Sequence, residues 1–400
     1  MPFKSSNLLR LAAAVLPLMA ATLPAQQPAS QGTPENPWLV LMTRAAAHAH
    51  EHGALVPVLS PNDASIVAFD AASKPATTLL VPVAQLQALG IRVIPWTTDE
   101  PEKMRAVIRT GVDGLISDRP DILQRVLAEE RAARPGDPHL KNFVVSAHRG
   151  GRGLRPENTL PSFESGLDQL SGELETDTGV STDNVSLIWH DQFYNPQSCR
   201  RADGAPYTLA NRVYLRDISS TDAQKQFLCD KLHFGPDQKN DLALSPVAVA
   251  FAKKEGLISP YVPTYVAQLF RFVAFYADYY ATGSGRSTAH AAERSANART
   301  VRFNLETKIM SEPMVVAARA AYPSLSADLI SNHTRDAQTF VTALAGIVTQ
   351  YHMEDRAEIQ SFDYRTLRLT EEQFPRIPTY YLTEDPRAFT LAFVNQTLPQ

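Results

Sequence analysis

The sequence predicts an α/β fold that gathers polar side chains at the carboxyl ends of its strands. Three observations lead there. Phe143 to Ala147 is a short apolar run that reads as a buried strand and passes directly into His148, Arg149 and two glycines, the strand end at which barrel folds keep their chemistry. Glu173 to Val180 and Val185 to His190 flank Ser181-Thr182-Asp183-Asn184, a run of turn formers that folds the chain back as a hairpin. Ile91 to Asp99 and Gly111 to Pro120 each read as a strand ending in polar residues, followed by helical stretches from Pro101 to Thr110 and to about Ala133.

The hairpin concentrates the chemistry. With the turn centred on Thr182 and Asp183, Glu175 falls opposite His190 and Asp177 opposite Ile188. The strand period of two then sets Glu175 and Asp177 on one face, with His190 beside them. A lone histidine after a strand is usually a hydrogen-bonded structural residue. Two strand-end histidines accompanied by an E-x-D pair point instead to a working site.

His148-Arg149-Gly150, Pro156-Glu157-Asn158-Thr159, Glu175-x-Asp177 and His190-Asp191 agree in residue type and spacing with the glycerophosphodiester phosphodiesterase family, which the chain resembles. Phe303 to Lys308 is similar to that family's N-x-E-x-K strand, and Gln360-Ser361-Phe362-Asp363 to its Q-S-F-D strand. The resemblance implies a TIM-barrel variant. Ile91 to Asp99 and Gly111 to Pro120 resemble the strands that close this barrel, yet in the family they come last and here they come first. The expectation is therefore a circularly permuted barrel. In it, residues 36–131 supply the closing strands and helices, and 132–142, with Pro135, Gly136 and Pro138, form a linker. Residues 143–386 make the main part with an insertion at 193–300, and 387–400 form a C-terminal tail. Gly111 to Asp118 should then pair with Phe143 to His148, and Ile91 to Trp96 should lie between that strand and Pro378 to Thr383. The competing arrangement, the remnant of a tandem copy packed outside an incomplete barrel, would leave long unpaired edges.

The same resemblance implies the chemistry. Glu175, Asp177 and Glu306 match the family's metal ligands, and the ion is expected to be calcium or magnesium, because oxygen-only ligation disfavours zinc or copper. His148 and His190 match its catalytic pair, taken as base and acid respectively, an order that could be reversed. Arg149 and Lys308 would hold phosphate oxygens, and Glu157 would position Arg149 or the metal. Trp96 either stacks on a glycerol moiety or simply packs. Asn184 stands where a glycine usually completes the turn, in a conformation asparagine tolerates, and Thr176 and Thr307 replace apolar residues. The implied activity is hydrolysis of a small-molecule glycerophosphodiester to glycerol 3-phosphate and an alcohol. The alternatives are a phospholipase D of the sphingomyelinase type and a catalytically inactive binding barrel.

At the start of the chain, Lys4 and Arg10 precede an apolar run from Leu11 to Thr22 and then Leu23-Pro24-Ala25. Residues 1–25 thus read as a signal peptide, too short in its apolar part for a stable membrane anchor, with a secreted or periplasmic destination. After export, Cys199 and Cys229 are expected to form a disulfide. A hydrophobic fraction of 44% supplies a substantial core, and a net charge of -4 argues against nucleic acid as a partner. Tyr265 to Tyr280 reads as an aromatic-rich helix packed on the barrel. His48, His50 and His52 sit in a helix expected over Ala45 to Gly53. Histidines four apart share a face and could hold a metal, but with Glu51 as the one carboxylate nearby a solvated helix end is the simpler reading.

Overall fold

A ring of eight parallel segments organises the computed structural model, which describes residues 35–68, 79–309 and 330–398 together with positions 312, 315, 316 and 319. The segment read as a signal peptide lies outside the described residues. Seven segments are regular strands: β1 (Val58–Pro61), β2 (Gly114–Ser117), β3 (Val144–Ala147), β4 (Glu173–Val180) and, beyond a short hairpin strand β5 (Ser186–Ile188) and a two-stranded ribbon of β6 (Arg200–Arg201) with β7 (Phe227–Leu228), β8 (Arg302–Thr307), β9 (Ala357–Ser361) and β10 (Thr379–Thr383). They pair in the order β1-β10-β9-β8-β4-β3-β2.

Residues 91–96 close the ring. On one side they bridge β1 in parallel at Leu59–Val93 and Asn62–Trp96. On the other, the amides of Asp113 and Ile116 donate to the carbonyls of Val93 and Pro95 at 2.9 Å each. Pro95 lacks a donor and the Val93 amide donates to the Asp113 carboxylate at 2.7 Å, so this stretch completes the ring with a broken ladder.

The N-terminal segment therefore supplies the closing strands, and Gly114 to Ser117 pairs in register with Val144 to Ala147. One adjacency is corrected. The neighbour of β10 is β1, with Val58 opposite Tyr380, and residues 91–96 lie between β1 and β2. Val58–Pro61 is four residues that follow Pro57 and end in a second proline, too short to show a period.

Helices cover the ring. The first, α1 (Pro37–Glu51), begins earlier than the sequence reading placed it, because the Asn36 side chain accepts from the Trp38 and Leu39 amides and Pro37 occupies the first turn. Its buried stripe of Trp38, Leu41, Met42, Ala45 and Ala49 has helical spacing. Then follow α2 (Val83–Ala88), α3 (Pro101–Ile108), α4 (Pro120–Ala133), a single turn α5 (Pro138–Lys141) inside the linker, α6 (Leu160–Asp168), α7 (Ser220–Gln226), α8 (Pro246–Glu255), α9 (Val266–Ala281), α10 (Ala291–Thr300), α11 (Ala337–Gln350), α12 (Tyr364–Gln373) and α13 (Leu391–Thr397). The aromatic stretch is α9, and it packs on the barrel as expected, with Phe270 set 4.8 Å from the Phe303 ring. Residues 387–398 are more than a tail, for Phe389, Val394 and Leu398 are buried in the main core.

The hairpin register is also corrected. Thr178 pairs with Ile188 and Val180 with Ser186, so Asp177 lies across from Trp189, whose amide donates to the Asp177 carbonyl at 3.0 Å. The sequence reading assumed a two-residue turn. The loop is instead Thr182-Asp183-Asn184, closed by the Ser181 amide on the Val185 carbonyl, with Asn184 in the left-handed region at φ 56°. A three-residue loop shifts the register by one. His190 still reaches the site because β5 ends at Ile188 and the chain bends away from the ladder.

Candidate active site

Period-two alternation aims a column of side chains into the barrel from each strand. On β4 the column is Glu173, Glu175, Asp177; across β8 it is Asn304, Glu306, Lys308; across β9, Glu358, Gln360, Phe362; across β10, Tyr380, Leu382, Glu384. The lower layer is a hydrogen-bonded plug. Glu173 accepts from Ser146 at 2.6 Å and from Asn304 at 3.2 Å, and Glu358 pairs with Arg302. The upper layer opens into a cleft of about 570 Å³, solvent at its mouth included, lined by Trp96, His148, Arg149, Arg152, Glu175, His190, Glu306, Lys308 and Glu384 among others.

At the cleft floor, buried Glu175, Asp177 and Glu306 bring carboxylate oxygens within 4.8 Å of one another. Lys308 Nζ lies 2.6 Å from Glu306 Oε1 and 3.2 Å from Asp177 Oδ1. Arg149 donates to Glu157 at 2.6 Å, and its Nε lies 3.2 Å from Asp177 Oδ2. Like charges crowded in a dry site cannot all ionise freely. Burial, then the charges of Asp177 and Glu306, raise Glu175 well above the usual carboxylate range. Burial pushes Glu306 up to about 7 against the pull of Lys308. Burial also opposes ionisation of Asp177, but Arg149 and Lys308 outweigh it and hold its carboxyl well below that range.

Each imidazole is held by a carboxylate. His148 Nδ1 lies 2.5 Å from Asp118 Oδ1, and His190 Nδ1 lies 2.8 Å from Asp191 Oδ1. In both, a donating Nδ1–H leaves the Nε2 lone pair for chemistry. Burial, with Arg152, lowers His148 to about 4 against the opposing pull of Asp118. Burial, then Arg149 and Lys308, lower His190. Burial and the neighbouring cations thus favour the neutral form of both rings before any anion enters.

The residues read as catalytic, phosphate-binding, metal-ligating or supporting thus converge. His148, His190, Arg149, Lys308, Glu175, Glu306 and Trp96 line the cleft, Asp177 lies against Glu175, Glu306, Arg149 and Lys308, and Glu157 grips Arg149. Trp96 meets Phe362 edge to face at 5.5 Å and donates to the Ser60 carbonyl at 3.1 Å, so it both packs and faces the cleft.

Four contributors were missed. Asp118 follows β2, and Asp99, just after the ring-closing residues 91–96, steadies it by accepting from the Asp118 amide at 2.9 Å. Arg152 donates to the same Asp118 oxygen at 2.7 Å. Asn158 donates to Asp177 at 2.8 Å and accepts from Thr176 at 2.8 Å, which gives the departure at Thr176 a role. The signal for Asp118 was present, since it is a polar residue at a strand end, the rule that singled out His148.

The insertion braces the site through the expected disulfide. Cys199 and Cys229 are bonded across a separation of 30 residues, flanking β6 and β7. Next to Cys199, Ser198 donates to Glu157 Oε1 at 3.1 Å and lies 2.7 Å from His233 Nε2. The loop length corresponds to about 3.5 kcal/mol in the chain-entropy account. The double variant Cys199→Ser, Cys229→Ser is expected to lose about that much stability, read as a lower urea midpoint, and an unchanged midpoint would show that the insertion does not depend on the link.

The residues fit a hard divalent cation. The donor set is oxygen alone, and buried Asp177 Oδ1 makes no hydrogen bond beyond its 3.2 Å ion pair with Lys308, so it keeps acceptor capacity that such an ion can use.

The family model described as the Glycerophosphoryl diester phosphodiesterase family matches residues 5–122 and 148–251, more than half of the chain. Comparison with curated proteins finds no match. Among solved structures, one from Silicibacter pomeroyi DSS-3 assigned to the glycerophosphoryl diester phosphodiesterases is 21% identical, with a TM-score of 0.41 over 60% of this chain and 64% of that one. The chain thus spans less than two thirds of that relative. A glycerophosphodiester phosphodiesterase from Parabacteroides distasonis is 12% identical, with a TM-score of 0.32 over 64% of this chain and 76% of that one. A phosphodiesterase from Oleispira antarctica, solved with the product sn-glycerol-3-phosphate, is 12% identical, with a TM-score of 0.24 over 63% and 96%.

Proposed function

The chain belongs to the glycerophosphoryl diester phosphodiesterase family, and on that premise we propose that it hydrolyses glycerophosphodiesters to glycerol 3-phosphate and an alcohol, with calcium or magnesium held by Glu175, Asp177 and Glu306. The observation that carries this reading is the meeting, in one cleft, of three acidic side chains, two carboxylate-held imidazoles, an arginine and a lysine.

A phosphodiester is an anion, and attack on phosphorus adds charge in the transition state. A bound divalent cation supplies Lewis acidity toward the phosphoryl oxygens. Arg149 spends part of its five-donor fork on Glu157 and Asp177, and its remaining N–H groups with the Lys308 ammonium bind phosphate oxygens. His148, neutral and held by Asp118, takes the proton of the attacking group at Nε2. His190, held by Asp191, delivers a proton from Nε2 to the leaving alkoxide. The phosphate charge favours the imidazolium this step needs. The apolar run after Lys4 and Arg10, together with the Cys199–Cys229 pair, supports export to the periplasm or medium.

The test is turnover of glycerophosphocholine and glycerophosphoethanolamine by the purified chain with calcium, with magnesium and with chelator, reading glycerol 3-phosphate release. Activity that disappears with chelator and returns with one of the two ions is the expected result. Turnover indifferent to chelator would overturn the cation assignment, and cleavage of lysolipid alone would replace the substrate class with that of a phospholipase.

A further inference from the structure

At the other end of the barrel from the cleft, α1 and α12 both finish. A helix that joins parallel neighbours runs against them, so the carboxyl end of α12, between β9 and β10, lies at the amino ends of the strands; α1, which leads into β1, ends there too. The histidine pair that the sequence left as a solvated helix end meets a carboxylate there. His48, His52 and Glu372 present one ligand atom each within 4.8 Å of the others. The two rings sit 4.5 Å apart, as residues four apart on one helix face do.

The surroundings of His48 are built. Its Nδ1 lies 2.7 Å from Oε2 of Glu371, a buried carboxylate whose other oxygen accepts from Thr379 at 2.7 Å and Tyr381 at 3.1 Å. A carboxylate fixed in this way fixes the ring and leaves Nε2 as the ligand atom, the arrangement by which metal-binding histidines are oriented. His48 Nε2 lies 3.2 Å from Glu372 Oε1, close to the edge of roughly 3.3 Å of a tetrahedron with metal bonds near 2.05 Å. His52 and Glu372 are exposed, so water can complete the shell.

We propose that His48, His52 and Glu372 form a second metal site, for a zinc-like transition ion, that staples α1 to α12. This goes beyond the hydrolytic reading and does not depend on it. The two sites differ in chemistry: the cleft offers oxygen alone to a hard cation, whereas two imidazoles and one carboxylate favour zinc or cobalt(II) over calcium and magnesium. The ion would tie the first helix of the ring-closing segment to the helix between β9 and β10, across the β1–β10 seam. Where His48 Nε2 carries a proton toward Glu372, binding releases it.

Cobalt(II) is the probe, added to the full chain under saturating magnesium. The visible absorption of a tetrahedral complex is expected in the parent, lost in His52→Ala and in Glu372→Gln, kept in Glu306→Gln, and displaced by zinc. Zinc at a hundredfold excess over its Kd should raise Tm by about 3 °C or more in the parent and leave His52→Ala unmoved, while magnesium-supported turnover is unchanged in that variant. Both altered residues are exposed, so folding is not at issue. No tetrahedral signal in the parent, a signal that survives both variants, or one lost only in Glu306→Gln would overturn the site.

Discussion

Replacing His190 by alanine is expected to lower kcat on glycerophosphocholine by about 10²- to 10⁴-fold with little change in KM, and His148→Ala should do the same. Each ring presents one nitrogen to the cleft and commits the other to a carboxylate, so alanine removes a proton-transfer group while Arg149 and Lys308 keep their phosphate contacts. Asp118→Asn sharpens the test. The asparagine keeps the shape but not the charge that holds His148 Nδ1 as a donor, and it takes the counter-charge from Arg152. A fall in kcat of about 10²-fold or more, with the fold intact by circular dichroism, would mark a tautomer-setting role like that of a triad aspartate. Retained kcat in both histidine variants would remove the acid–base assignment altogether. Because Asp118 lies just beyond β2, the same measurement asks whether the ring-closing segment takes part in the reaction or only encloses it.

How far the sequence disclosed this site follows from the range over which each signal acts. Inward-facing pairs such as Glu175-x-Asp177 are written at period two within one strand, and they were legible because nothing distant is needed to read them. The hairpin register depended on one backbone conformation, Asn184 at φ 56°, and composition alone does not separate a two-residue from a three-residue turn. The strand Val58–Pro61 was invisible for want of length, and without it residues 91–96 were assigned the wrong neighbour. Contacts between distant segments were the least accessible. Asp118 and His148 are 30 residues apart, and His48 and Glu371 are 323 apart, so neither pairing leaves a local trace. The histidine stripe on α1 looked solvated because its carboxylates arrive on a helix from the far end of the chain.

The carboxylates of the cleft are expected to separate stability from activity. Asp177→Ala leaves Arg149 and Lys308 with a missing counter-charge in a buried site; stripping one partner from a buried ion pair costs about 3–5 kcal/mol, so the variant should unfold at clearly lower urea when measured with chelator present. Glu175→Gln should cost far less. Burial and its acidic neighbours already push Glu175 toward the protonated form, and the amide can be accommodated: one oxygen of Glu175 accepts from the Arg149 amide at 2.9 Å and the other from Gln360 at 2.7 Å, while Gln360 Oε1 is buried without a partner. A flip of the Gln360 amide would offer that oxygen to the new NH₂ group. Both variants nevertheless lose one ligand of the acidic cluster, and several kcal/mol of transition-state stabilisation corresponds to about 10³-fold in turnover. Equal loss of activity with unequal loss of stability is therefore the expected pattern, read from paired urea titrations and initial rates. If Glu175→Gln were as destabilising as Asp177→Ala, the division of charge within the cluster would be wrong, and if Glu175→Gln kept full turnover, its carboxylate would have no part in holding the cation.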